Sequence, residues 1–154
     1  MKHLRYLYIV SLFMLSACTI TPPQPVGVTL PGEDPERTVL PSKKTSSAVV
    51  SLLEKARVAT QQGDYPRAEV LLERTVRIEP ENASLWHYLA KLRLHQSRYK
   101  DAIGLAKKSN HLARSNRILL ADNWRIIAHA RQRSGDRLGA QRAQNKAKQI
   151  SAQP

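Results

Sequence analysis

From Ser46 onward, apolar residues recur at intervals of three and four, and this period constrains the fold more than any other feature of the chain. Ala48, Val49, Leu52, Leu53, Ala56 and Ala59 fall on one side of a helix, which Gly63-Asp64 interrupts. Ala68, Leu71, Leu72, Thr75 and Val76 line a second helix, closed by Pro80. Leu85, Trp86, Leu89 and Ala90 open a third. Because the turns are short, consecutive helices must run antiparallel as pairs. Beyond the first seventeen residues the aromatics reduce to Tyr65, Trp86, Tyr88, Tyr99 and Trp124, so the core has to come from Leu, Ile, Val and Ala. That composition suits stacked helices better than a β-sandwich. The expected fold class is all-α.

The spacing of the pairs also repeats. Gln62-Gly63-Asp64-Tyr65-Pro66-Arg67-Ala68, running on to Pro80-Glu81-Asn82, resembles the second half of a tetratricopeptide repeat. The resemblance divides the domain 46–154 into units at 49–82, 83–116 and 121–154. Trp86, Leu89, Ala90, Tyr99 and Ala102 stand at the matching places of the second unit. Trp124, Ile127, Ala128, Gly135, Asp136 and Ala140 do so in the third. Small residues such as Ala90 and Ala102 let paired helices approach, and the rings fill gaps between pairs. Departures from the pattern are Leu52 where Trp is usual, Arg114 at a closing Pro, and four extra residues, Arg117 to Leu120. The last helix, from about Arg137 to Ile150, shows only a weak stripe of Leu138, Ala143, Ala147 and Ile150, which reads as a terminal cap.

A different logic governs the N-terminus. Lys2 and Arg5 precede an apolar run from Tyr6 to Leu15 that is too short to span a bilayer, so residues 1–17 read as a secretory signal. Leu15-Ser16-Ala17-Cys18 resembles the lipobox of bacterial lipoproteins. The resemblance implies cleavage before Cys18, diacylglycerol on its thiol and acylation, such as palmitate, of the new amino group. Several acyl chains anchor stably where one is marginal. Cys18 is the only cysteine, which excludes an intramolecular disulfide. In Gram-negative lipoproteins an Asp after the cysteine is the usual inner-membrane retention signal, so with Thr19 there the resemblance implies the outer membrane, with the domain on its periplasmic face. Residues 19–45 carry six prolines among Thr, Ser and Gly, so 18–45 reads as a lipidated cysteine and a disordered tether. Fully extended, that stretch would reach on the order of 80 Å.

The formal charge of +13 is uneven. Residues 46–82 hold five Lys/Arg against six Asp/Glu, and residues 83–154 hold fifteen against three. A basic chain usually suggests nucleic acid, but export leaves phospholipid, cell-wall precursor or acidic protein as anionic partners. A solvated basic surface is the alternative. In the repeat family the first helix of each pair lines a concave groove for a protein segment. Carried over, that groove comprises Arg57 and Gln61, then His87, Lys91 and His95, then Arg125, His129 and Arg133. Residues four apart share a helix face, which agrees with this placement.

Nothing in the chain supplies catalysis: there is no nucleophile elbow, phosphate loop or HExxH, and no cofactor is implied. His87 and His95 lie about 12 Å apart along a helix, too far to share a zinc ion, so no metal is expected. Asn82 to Ser97 (NASLWHYLAKLRLHQS), Ala106-Lys107-Lys108-Ser109-Asn110, Asn123 to Ala128 and Ser134-Gly135-Asp136 resemble the small tetratricopeptide lipoproteins of gammaproteobacteria, including LpoP-type activators of class A penicillin-binding proteins. That resemblance implies a non-enzymatic, lipid-anchored module that binds and stimulates a peptidoglycan synthase. A pilotin-like assembly lipoprotein for a pilus or secretion complex is the alternative, although such relatives carry about twice as many repeats.

Overall fold

A computed structural model describes residues 45–152 of the chain. The signal, Cys18 and the tether up to residue 44 lie outside the described residues. Within them the chain forms six helices and no strand: α1 (Ser47–Gln61), α2 (Tyr65–Ile78), α3 (Ala83–His95), α4 (Tyr99–Leu112), α5 (Arg117–Arg133) and α6 (Arg137–Ala152). Consecutive helices pair as α1/α2, α3/α4 and α5/α6; α2 packs on α3, α4 packs on α5, and α3 reaches α5 directly. This is the expected stack of helix pairs.

Local signals set the boundaries. Ser46, Asp64, Asn82 and Asn116 each accept a backbone N–H in the first turn of the helix they precede. Asp136 does the same for α6, accepting the Gly139 N–H at 2.7 Å. The turn inside each pair needs one left-handed residue. Gly63 and Gly135 take it at φ 76° and 90°, but the middle pair uses Ser97 at φ 59°. The four residues from Arg117 to Leu120 are helical and do not form a loop between the second and third pairs. They form the first turn of α5, a helix of 17 residues, so the third pair begins at Arg117 rather than Ala121.

Leu53, Ala56, Ala68 and Leu72 of the first pair close around Leu85, Leu89 and Leu92 of α3. A second cluster joins Ala90, Leu94, Ala102 and Ala106 to Ile126, Ile127, Ala130 and Ala143. In α6 the buried stripe is Gly139, Ala140, Ala143 and Ala147. Leu138, expected on that stripe, is 75% exposed, because it sits one residue off the face that meets α5.

Polar groups also bind the stack. Arg93 is buried at the α2–α3 contact, where its guanidinium meets Glu69 and lies 3.1 Å from Glu73. Gln96 donates to Glu69 at 2.9 Å. Hydrogen bonds from Arg93 and Gln96 hold the Glu69 carboxyl below its ordinary range, against burial, which acts to raise it. At the start of α1, Glu79 accepts both the Ser46 N–H at 2.8 Å and its hydroxyl at 2.9 Å. Asn82 donates to Glu79 and to Thr45, which ties the chain entering the domain to the end of α2.

Candidate functional site

The residues expected to form one groove meet different fates. Arg57 and Gln61 are exposed on α1, and Arg57 is held by Glu54, with Nη2 2.6 Å from Oε1. That hydrogen bond raises the Arg57 pKa and lowers the Glu54 pKa, so the pair presents little net charge. His95 is half-buried and stacks on Tyr65 with ring centroids 6.2 Å apart. Lys91 is half-buried beside it on α3, and Arg133 is exposed at the end of α5.

His87 is a correction. It lines no open groove: only 3% of it is exposed, because α5 packs directly across this part of α3. Its Nδ1 lies 2.8 Å from Asn123 Oδ1, while Asn123 Nδ2 donates to Ser109 Oγ at 2.7 Å. The Ser109 hydroxyl in turn donates to the Ala83 carbonyl at 2.8 Å. Since Asn123 spends its amide on Ser109, its oxygen is the acceptor and His87 carries the proton on Nδ1. The chain of bonds joins α3, α4 and α5 through the core. His87 is therefore structural, and period alone could not reveal it, because a helix position four residues from Lys91 looks the same whether or not a neighbouring helix covers it.

Arg125 and His129 do come together, in a groove of about 310 Å³ between α5 and α6. Ala128 and Ala140 form its floor, where two small residues bring the helices close. Along the rim stand Gln132, Arg137, Gln141 and Gln144. Arg125 is pinned by Asp122 and donates to Ser151 Oγ at 3.2 Å, which aims its guanidinium along the groove's C-terminal end. Sequence reasoning missed Arg137, Gln141 and Gln144, having set α6 aside as a cap. The available signal was their polarity at positions where the second unit has Tyr99, Ile103 and Ala106.

The groove offers guanidinium, imidazole and carboxamide groups around an apolar floor, which suits recognition of a protein segment rather than bond-making. Among the described residues no group of three or more His, Cys, Asp or Glu could hold a metal ion. None of the described helices is long and apolar enough to cross a membrane.

The tetratricopeptide repeat family matches residues 59–118. Among solved structures, the globular C-terminal domain of Pseudomonas aeruginosa LpoP is 34% identical, with a TM-score of 0.66, across 67% of this chain and 97% of that one. The N-terminal domain of stress-induced protein-1 from Caenorhabditis elegans is 17% identical, with a TM-score of 0.64 over 73% of this chain and 91% of that one, and so shares the fold. No curated protein matches the chain.

Proposed function

Because the chain belongs to the tetratricopeptide-repeat family and its domain is of the LpoP type, we propose that it is a lipid-anchored protein-interaction module that binds and activates a class A penicillin-binding protein. Cys18 carries the anchor in the outer membrane, and the proline-rich tether holds the helical domain out on the periplasmic side. The domain itself does no chemistry; it stimulates the synthase by contact. The observation that carries this reading is the 34% identity to the LpoP domain over 97% of that domain. The tether and lipobox supply what such an activator needs, a fixed membrane attachment and reach.

Two measurements test it. Glycan-chain length and crosslinking by a purified class A synthase should both rise on adding the chain; an unchanged rate at saturating concentration would refute activation. Cys18→Ser should abolish palmitate incorporation and membrane fractionation, and labelling that persists in the variant would refute the anchor.

A further inference from the structure

The α5/α6 groove has a counterpart in each of the other two pairs, and both counterparts are filled. Subtracting 38 from its residue numbers maps Gln132, Arg137, Gln141 and Gln144 onto Leu94, Tyr99, Ile103 and Ala106, which pack against α5. A further 34 gives Thr60, Tyr65, Glu69 and Leu72 in the first pair, where Tyr65 and Leu72 pack in the cluster that includes Leu85, Leu89 and Leu92 of α3. The floor stays Ala throughout: Ala56 and Ala68, Ala90 and Ala102, Ala128 and Ala140. Each pair therefore builds a cradle shaped for one further helix, and the third pair keeps the shape while exchanging the apolar rim for a polar, basic one.

A terminal cap needs only a polar outer face, commonly one of mixed charge. Instead α6 carries Arg137, Arg142, Lys146 and Lys148 and no acid. We propose that this open cradle receives an acidic amphipathic helix of a partner protein. Its small apolar stripe would lie on Ala128 and Ala140, its carboxylates would meet Arg137, and the three glutamines would bond its polar edge, while Arg125 stays paired with Asp122 at the groove's end. Shape selects a cylinder over a flat bilayer, since the same cradle takes α3 and α5 in the pairs before it. Charge disfavours a second copy: α1, the helix a stacked copy would present, has Glu54 against Lys55 and Arg57. The acidic stretch of this chain, Glu33, Asp34 and Glu36, is interrupted by Pro35, which cannot continue a helix. The inference rests on the interaction-module reading and names where the partner docks.

The probe is a fluorescent, alanine-based helical peptide with glutamates along one face, titrated against the full chain in detergent. Its scrambled counterpart has equal charge but no helical face. No synthase is present, so the outcome does not depend on whether this chain activates one. We expect saturable binding that weakens at least tenfold in the triple variant Arg137→Glu, Gln141→Glu, Gln144→Glu, with an unchanged thermal melt. The outer-face triple Arg74→Glu, Arg77→Glu, Lys108→Glu, a larger change of charge, should shift affinity less than twofold. Should the melt of the first triple change, Gln141→Glu alone must still weaken binding about threefold. Equal binding of the scrambled peptide, or equal loss in both triples, would overturn the cradle in favour of diffuse charge attraction. Tighter peptide binding after Glu33, Asp34 and Glu36 are changed to Ser would show the chain's own segment to be the occupant. A dimer that the groove triple dissolves would show a second copy there. Either result overturns the proposal.

Discussion

At Asn123 a single side chain decides how three helices meet. It is fully buried, its Oδ1 accepts a hydrogen bond from His87 Nδ1–H, and its amide donates one to Ser109 Oγ. Asn123→Ala would remove the acceptor of the buried His87 Nδ1–H and the amide that donates to Ser109, which keeps only its bond to the Ala83 carbonyl. An unsatisfied buried group costs about 1–3 kcal/mol. We expect urea denaturation to show a loss of about 2–3 kcal/mol with helix content unchanged in the folded state. Ser97 poses the opposite case. Its left-handed backbone costs a non-glycine residue roughly 1–2 kcal/mol, partly offset because glycine is freer in the unfolded chain. Ser97→Gly should therefore stabilise by about 0.5–1 kcal/mol, seen as a higher urea midpoint at constant slope. A lower midpoint would mean that the Ser97 side chain contributes something the turn geometry does not reveal.

Between elements, the α2–α3 contact carries an ionic core as well as an apolar one. Arg93 lies buried with Glu69 and Glu73 beside it, and its hydrogen bond to Glu69 is the main reason that carboxyl sits below its ordinary range. The sign follows from linkage. A carboxyl depressed in the folded state stabilises fully above its unfolded pKa, near 4.5, and that contribution is lost as pH falls through the lower folded value. Stability should thus decline below about pH 4.5. Glu69→Gln should flatten that acid limb while lowering stability at neutral pH; an unchanged limb would place the acid sensitivity elsewhere. Exposed pairs such as Arg57–Glu54 should add little by comparison.

Over the whole molecule the basic charge gathers toward the last pair, where α6 lacks any acid. If a synthase docks on the faces carrying Lys91, Arg125 and Arg133, changing all three to Ser should weaken binding at least tenfold, and added salt should reduce the difference. Circular dichroism should be unchanged, although Arg125 also gives up its contacts with Asp122 and Ser151. Changing Arg74, Arg77 and Lys108, all exposed on the opposite helices, should do little. Weaker binding from the second set alone would move the interface to the outer face. Lys108 lies 5.8 Å from the centre of the Trp86 ring, so its control substitution also reports on that contact.

The helix pairs, their turns and their order were legible in the chain itself, because a period of three and four, glycine at Gly63 and Gly135, and caps such as Ser46 and Asp64 are local properties that survive without knowledge of neighbours. The match of Ala68 with Ala102 and Ala140 likewise announced a stack. Burial at a particular position was not legible. His87, Lys91 and His95 share one face of α3, yet α5 covers the first and leaves the others half open. The four residues before Ala121 looked like a spacer until helix pairing made them a turn of α5. Arg93, charged and by composition a surface residue, is an interior one because α2 brings Glu69 and Glu73 to meet it. The cradle between α5 and α6 exists only once both helices are in place. Local sequence determines how each helix forms, and the contacts between helices decide which of its polar groups remain available to a partner.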